Sequence, residues 1–193
     1  MATVPRSRLA VFAVIALVGC AADLATKAWF FSWPALSGGA VHWLWPNYIG
    51  IQLSCNPGAL FGMGQGLTWL FASMSVAAGV AMVVWLFWFG AARDLWLTAA
   101  MGSVMAGILG NLYDRLGLAE RLWPGSVNAA TQSGNRVRDW ILFQWSDSVR
   151  WPNFNIADSM LVVGAAILFF HALWQPRSGD PIEIPQRLDR SAR

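Results

Sequence analysis

Residues 95–116 read LWLTAAMGSVMAGILGNLYDRL and decide the fold. An α-helix rises 1.5 Å per residue, so about 20 apolar residues cross a hydrocarbon core about 30 Å thick. This stretch is apolar until its last turn, where Asn111, Asp114 and Arg115 follow one another closely. It therefore predicts a transmembrane helix that carries polar groups at one end.

Three further stretches have the same length and character, at residues 9–31, 67–89 and 156–174. The short turn GAARD joins the second span to the third, whereas long polar segments follow the first and the third, at residues 32–66 and 117–155. Both long segments therefore lie on one side of the bilayer. We predict an all-α integral membrane protein, with one four-span domain over residues 1–175 and a polar tail over 176–193.

The composition excludes a soluble domain. Hydrophobic residues make up 56% of the 193, only 12% are charged, and the mean hydropathy is +0.47. The 13 Trp and 11 Phe favour a membrane protein, because aromatic rings concentrate at the two bilayer surfaces. The net charge of +3 does not indicate nucleic acid, since the arginines form no basic stripe.

Arginines predict the orientation. Seven precede the first span, lie in the short turn or follow the last span: Arg6, Arg8, Arg93, Arg177, Arg187, Arg190 and Arg193. Fewer lie in the two long loops, so the positive-inside rule places both termini in the cytoplasm and the loops outside.

The first span has an alternative interpretation as a cleaved secretory signal. Two arginines, an apolar run and LVGC ending at Cys20 are typical of a lipoprotein-type signal. We favour a retained span, because helix-compatible sequence continues past Cys20 to Pro34.

Polar side chains gather where the spans meet the outer loops. They are Asp23 and Lys27 late in the first span, Asn111, Asp114 and Arg115 ending the third, Asn155 and Asp158 opening the fourth, and Asn56 and Asp139 in the loops. Ionisable groups are costly in a bilayer, so several at one depth indicate a functional site. Chemistry at the outer leaflet fits this depth better than transport, which calls for polar groups near the midplane.

The chain has too few residues of the required types for several kinds of catalytic site. The only histidines are His42 and His171, which do not make a zinc site or a Ser/His or Cys/His centre. A Ser/Lys pair would use Lys27 with Ser32 or Ser54, although neutralising Asp23 one turn away is the simpler role for Lys27. No metal or other cofactor is expected.

Two carboxylates that share one proton can cleave a peptide bond without a cofactor. One activates water while its protonated partner polarises the carbonyl. Asp139 and Asp158 are the natural pair by chain order and depth. Asp158 has an equally plain structural role in the first turn of the fourth helix, with Asn155 as its cap.

Five motifs in this order resemble the lipoprotein signal peptidase family, also called signal peptidase II. They are D-x-x-x-K at Asp23 and Lys27, NPGALFG from Asn56, GNLYDR from Gly110 to Arg115, VRDWI around Asp139, and FNIADS from Phe154 to Ser159. The resemblance implies a four-span aspartyl protease of the bacterial inner membrane that acts as a monomer at the outer leaflet. Its substrate would be a diacylglyceryl-modified prolipoprotein, cut before the lipidated cysteine.

The resemblance also implies roles for the polar residues. The catalytic pair would be Asp139 and Asp158. The substrate or that pair would be positioned by Asn56, Asn111, Arg115 and Asn155, and structural or substrate-orienting roles would fall to Asp23, Lys27 and Asp114. The same supporting motifs include Gly58 and Ala157. A small sheet is expected in the first outer loop, over VHWLWPNYIGIQLSC. The stretch from Arg115 to Asp139 is longer than the resemblance leads us to expect and predicts an inserted surface loop.

Two other functions remain open from the residues. A transporter would use the same acids as a proton relay, and a lipid-binding scaffold would only pair them with one another.

Overall fold

The computed structural model describes residues 4–58, 64, 66–122, 134–146 and 148–174. Its helices are α1 (Arg6–Phe31), α2 (Thr68–Val83), α3 (Leu95–Arg115), α4 (Leu118–Leu122) and α5 (Ile156–Trp174), and α2 continues as a π-helical turn over Val84–Trp88. Four helices, Arg6–Phe31, Thr68–Trp88, Leu95–Arg115 and Ile156–Trp174, are long and apolar enough to cross a membrane. The four predicted spans are confirmed, and the protein is a multi-pass membrane protein. The predicted tail, over residues 176–193, lies outside the described residues.

Helix α3 is the centre of the bundle. Half of its most apolar stretch is buried inside the protein, against at most 22% for the other three spans. Small residues allow close packing on two sides: a Cβ at Gly102 would lie 3.1 Å from the Phe12 carbonyl oxygen of α1, and one at Gly107 would lie 2.5 Å from the Ala157 carbonyl oxygen of α5. The small-residue stripes of α3 therefore bring α1 and α5 to helix-packing distance.

A four-stranded antiparallel sheet caps one end of the bundle. Its strands, in the spatial order β1-β2-β3-β4, are β1 (His42–Trp45), β2 (Ile49–Asn56), β3 (Val137–Ser146) and β4 (Val149–Phe154). We call this end the sheet end and the opposite end, with residues 89–94, the short-turn end.

The sheet is larger than the sequence analysis predicted. Strands β1 and β2 lie in the first long loop, as expected, but β3 and β4 come from the second, so the all-α assignment is incomplete. The branched and aromatic residues of VRDWILFQW satisfy the same criterion that predicted strands in the first loop. The central part of the predicted insertion, residues 123–133, lies outside the described residues.

The strand pairing sets up the site. Ser54 of β2 lies opposite Asp139 of β3, and Asn56 lies opposite Val137. Strand β4 runs antiparallel to β3 and leads directly into α5, so the start of that helix lies beside the first residues of β3. The sheet thereby delivers residues from both loops to the ends of α3 and α5.

Candidate active site

Lys27 is fully buried and pairs with two carboxylates. Its Nζ lies 2.7 Å from Asp23 Oδ2 and 2.9 Å from Asp114 Oδ2. The other oxygen of Asp23 accepts the backbone N–H of Ala157 at 2.9 Å, which ties α1 to the first turn of α5. A Cβ at Gly110 would lie 2.5 Å from Asp23 Oδ2, so only glycine leaves room for this carboxylate. The D-x-x-x-K motif thus joins α1 to the end of α3 and to the start of α5.

Asp114 anchors the start of β3. Its Oδ1 accepts hydrogen bonds from Nε and Nη2 of Arg138, both at 2.8 Å, and its Oδ2 accepts the Arg138 backbone N–H at 3.1 Å. A buried ion pair needs this kind of additional hydrogen bonding to offset desolvation. Because Asp139 is the next residue, the same anchor places its carboxyl group at the end of α3.

Asn155 caps α5 and also contacts both aspartates of the predicted pair. Its Oδ1 accepts the backbone N–H of Asp158 at 2.9 Å, and Asp158 Oδ2 accepts the Asn155 N–H at 3.3 Å, which is a reciprocal capping arrangement. Its Nδ2 donates to Asp139 Oδ1 at 2.7 Å. The structural role considered for Asp158 is therefore present, and Asn155 joins it to Asp139.

Asn111 supplies the corresponding hydrogen bond to the second aspartate. Its Nδ2 donates to Asp158 Oδ1 at 2.8 Å. The two carboxyl groups are thus each held by one asparagine amide, Asp139 by Asn155 and Asp158 by Asn111.

The two carboxyl groups lie in different surroundings. Asp139 is only 2% exposed, whereas Asp158 is partly exposed. Burial, and after it the negative charge of Asp158, raise the pKa of Asp139 to about 8. At neutral pH Asp139 therefore keeps its proton, and the pair can act as one acid and one base.

A charge count leads to the same state of protonation. The acids that line or underlie the site are Asp23, Asp114, Asp139 and Asp158, and the cations are Lys27, Arg115 and Arg138. Four acids and three cations are balanced when one carboxyl group is protonated. An uncompensated charge is strongly disfavoured where most of these groups are buried, as Asp23, Lys27, Asp114, Arg138 and Asp139 are.

A cleft of about 750 Å³ opens beside the two aspartates. Asp139, Asp158, Asn111 and Arg115 line its polar end. Apolar side chains line much of the rest, among them Ile108 of α3 and Leu161, Val162 and Ala165 of α5. The cleft thus joins a polar end to an apolar surface within the membrane-spanning region.

Asn56 lines the cleft, and Gly58 lies in the turn that follows β2. Gly58 N donates to Asn56 Oδ1 at 3.0 Å, and the Gly58 carbonyl oxygen lies 3.5 Å from Nη2 of Arg115. The turn after β2 is thereby attached to the end of α3.

The structure brings all eleven predicted site residues to the sheet end: Asp23, Lys27, Asn56, Gly58, Asn111, Asp114, Arg115, Asp139, Asn155, Ala157 and Asp158. Arg138 is a further residue of the site that was not predicted from the sequence, where it counts only among the loop arginines. Its position next to Asp139 within an apolar run was the available signal, since a buried arginine requires a carboxylate partner.

Other chemistries find less support. Lys27 contacts two carboxylates and Asn111, while the hydroxyl of Ser32 donates to the Trp29 carbonyl oxygen at the surface, so the Ser32–Lys27 alternative is wrong. Burial raises the pKa of the Cys55 thiol to about 11, which keeps it protonated and a poor nucleophile. Within the described ranges, His, Cys, Asp and Glu form no group of three or more that could hold a metal ion.

Comparison with known proteins identifies the family. The family model described as signal peptidase (SPase) II matches residues 15–174. The chain belongs to the signal peptidase II family. This is a family of proteases that process lipoprotein signal peptides, and the predicted resemblance is confirmed.

Two lipoprotein signal peptidases and one solved structure are similar to this chain. A lipoprotein signal peptidase of Rhodopirellula baltica is 46% identical over 191 residues, covering 96% of this chain and 83% of the relative. One from Pseudomonas putida is 35% identical over 141 residues, covering 71% of this chain and 72% of the relative. A bacterial membrane enzyme structure obtained by the in meso method at 2.3 Å shares the fold, with a TM-score of 0.68 and 24% identity over 89% of this chain and 92% of that one.

Proposed function

We propose that this signal peptidase II family member is an aspartic endopeptidase of the membrane. Its substrate is a prolipoprotein that carries a diacylglyceryl group, and it cuts the signal peptide before the lipidated cysteine. The observation that carries the proposal is the environment of Asp139 and Asp158. Both carboxyl groups line one cleft and are held by asparagine amides, and only one of them is fully buried.

The different surroundings assign a role to each aspartate. Asp158 is partly exposed and accepts a hydrogen bond from Asn111, so it serves as the general base that takes a proton from water. The water oxygen attacks the scissile carbonyl carbon. Asp139, protonated at neutral pH, donates its proton to the carbonyl oxygen.

The resulting tetrahedral diol collapses as its C–N bond breaks. The leaving nitrogen takes the proton held by Asp158, and a hydroxyl proton of the diol returns to Asp139. The products are a carboxylic acid and an amine, and the pair is restored with one proton.

The rest of the cleft accommodates the substrate. Asn56 and Arg115 line the polar part of the cleft, where they can bind the peptide backbone around the scissile bond, and Gly58 contacts both of them. From Asp158 to Ala165 the helix advances seven residues, so the cleft reaches about 10 Å along α5 from the aspartates. This apolar part suits the hydrophobic end of a signal peptide or the lipid chains.

The topology follows from the arginine distribution. Arg6, Arg8, Arg93 and the four arginines that follow the last span belong to the side of the short turn, against five arginines in or beside the two long loops. We therefore place the short-turn end on the cytoplasmic side of the bacterial inner membrane, together with both termini. The aspartates then open to the outer leaflet, where a lipidated substrate is anchored. The catalytic unit is the four-span domain over residues 1–175, acting as a monomer.

The test is cleavage of a diacylglyceryl-modified lipobox peptide by the purified full chain in detergent. Asp139→Asn and Asp158→Asn retain shape but remove the acid, and we expect each to lower kcat by at least about 1,000-fold. Asp94→Asn, at the opposite end of the bundle, serves as the matched control and should cleave at close to the wild-type rate. Thermal unfolding and size-exclusion profiles check that each variant folds.

Mass spectrometry of the products locates the cut. An inert wild type, or a cut at any other bond, would overturn the proposal. Folded Asp139→Asn and Asp158→Asn that remain active would overturn the assignment of the two aspartates.

A further inference from the structure

We propose that Lys27 is a positioning residue of the catalytic pair and acts through the amide group of Asn111. Its ammonium group holds Asn111 Oδ1, so that Asn111 presents Nδ2 to Asp158. The inference rests on the proposed function and assigns Lys27 a role beyond neutralising the buried carboxylates.

The hydrogen bonds around Asn111 determine which way its amide points. Its Oδ1 lies 3.2 Å from Lys27 Nζ and 3.1 Å from Asn155 Nδ2, and both of these groups are donors. Its Nδ2 lies 2.8 Å from Asp158 Oδ1, an acceptor when ionised. A flipped amide would place NH₂ against two donors and oxygen against a carboxylate, and would lose all three hydrogen bonds.

Of the two donors to Asn111, Lys27 is the stronger constraint. The Nδ2 group of Asn155 has only two hydrogens, and its shortest bond, at 2.7 Å, is to Asp139. The second hydrogen is divided between Asn111 Oδ1 at 3.1 Å and the Arg138 carbonyl oxygen at 3.4 Å. Asn155 therefore offers Asn111 only a shared hydrogen, whereas Lys27, at 3.2 Å, offers the same oxygen a hydrogen and a positive charge.

The position of Lys27 is itself fixed. An ammonium group has three hydrogens, and here the acceptors are Asp23, Asp114 and Asn111, one for each hydrogen. The side chain is 0% exposed, so water does not compete for these bonds. The chain Lys27–Asn111–Asp158 thus links a rigid charge cluster to the base, with no direct contact between Lys27 and the substrate.

The experiment compares Lys27 variants in an Asp23→Asn background, where Lys27 can be removed while Asp114 keeps Arg138 as its cation. Asp23→Asn removes one buried anion but retains an oxygen to accept the Ala157 N–H, and adding Lys27→Met removes one cation. D23N/K27M therefore removes the hydrogen bond from Lys27 to Asn111 without leaving an extra buried charge. D23N alone retains that hydrogen bond. D23N/K27Q restores an N–H donor in place of the ammonium.

Steady-state kinetics with the lipidated peptide are measured for the three variants between pH 5 and 9. From D23N to D23N/K27M we expect kcat to fall about 10-fold or more, with KM changed less than about twofold, since a positioning residue affects the reaction more than binding. The acidic limb of kcat/KM should move to higher pH, because the ionised pair loses a hydrogen bond. D23N/K27Q should recover most of kcat.

Equal kcat values and superimposable pH profiles for folded D23N and D23N/K27M would overturn the role of Lys27. If D23N/K27M does not fold, Asn111→Leu removes the same bond to Asp158 while retaining both carboxylate pairs of Lys27. It should then show the same loss and the same displaced limb, and an unchanged pH profile would overturn the proposal. Wild type, Asp139→Asn and Asp158→Asn in the same assay separate this outcome from a failure of the proposed peptidase function.

Discussion

The two ends of the α3–α5 helix pair carry cavities of nearly equal volume, about 750 Å³ at the sheet end and about 740 Å³ at the short-turn end. Acidic side chains line both, Asp139 and Asp158 at the sheet end and Asp94 at the short-turn end. Their volumes do not distinguish them. Their electrostatics do.

At the short-turn end both carboxylate oxygens of Asp94 make structural contacts. Asp94 caps α3 by accepting the Leu97 N–H at 3.0 Å, and its other oxygen lies 2.6 Å from His171 Nε2. Burial alone would raise its pKa, but the hydrogen bonds from Leu97 and His171 lower the pKa of Asp94 below its ordinary value. The remaining lining is largely apolar and aromatic, including Phe170 and Trp174.

At the sheet end the carboxyl group of Asp139 is buried, and this burial disfavours its ionised form. Asp139 retains a proton at neutral pH, beside a second carboxyl group that lines the same cleft. The comparison teaches that a reactive site is recognised by perturbed, convergent acids rather than by cavity volume. Three predictions test the contrast.

The largest difference should be in stability. Lys27→Met leaves Asp23 and Asp114 buried without their shared cation, and removing one partner of a buried ion pair typically costs about 3–5 kcal/mol. Asp94→Asn breaks a partly exposed pair, for which about 0–1 kcal/mol is typical. Unfolding of both variants in mixed detergent–SDS micelles measures the two costs, and D23N/K27M should be less destabilised than Lys27→Met. Similar losses for Lys27→Met and Asp94→Asn would contradict the contrast.

Two adjacent alanines on α5 test which cavity binds the substrate. Ala165 lines the sheet-end cleft and Ala166 lines the short-turn cavity, so the same substitution at each position fills one space only. We expect Ala165→Phe to raise KM for the lipidated peptide about 10-fold, a loss of about 1.4 kcal/mol, and Ala166→Phe to leave it within about twofold. A KM raised equally by both, or only by Ala166→Phe, would place substrate binding elsewhere.

The smallest effect concerns pH. A raised pKa keeps Asp139 protonated below about pH 8 and ionised above it, so the proton donor is present at lower pH and lost as pH rises. We expect kcat/KM to be halved near pH 8 and to continue to fall above it. His171→Gln at the short-turn end should leave this basic limb in place. A limb that moves in His171→Gln, or a rate that stays constant to pH 10, would contradict the assignment.

Much of the fold was predictable because the partition of an apolar segment into a bilayer is a local property. The span 156–174 was predicted with the bounds that α5 has, and the first span differs from α1 only in its start, at Leu9 rather than Arg6. The length and hydrophobicity of a segment are enough to predict a membrane-spanning helix, because a helix satisfies its own backbone hydrogen bonds inside the bilayer. The polar cluster at the sheet end could be predicted for the same reason, because the position of each polar residue relative to the end of its span is given by the sequence.

Strands β3 and β4 were not predictable in the same way. Strand β3 is stabilised by pairing with β2 and by the attachment of Arg138 to Asp114, which are contacts between residues far apart in the chain. The branched and aromatic residues of VRDWILFQW favour a strand, but the segments with which it pairs are brought together only by the fold.

The sequence by itself determined four membrane spans, the residues of the polar cluster and the family. Tertiary structure alone decided that Arg138 anchors the second loop, that Asp139 is buried while Asp158 is partly exposed, and that Lys27 reaches Asn111. These properties depend on distances between side chains from α1, α3, β3 and α5, and on how much water those elements exclude. No single segment encodes either quantity, because burial and hydrogen-bond geometry arise only when the segments pack together.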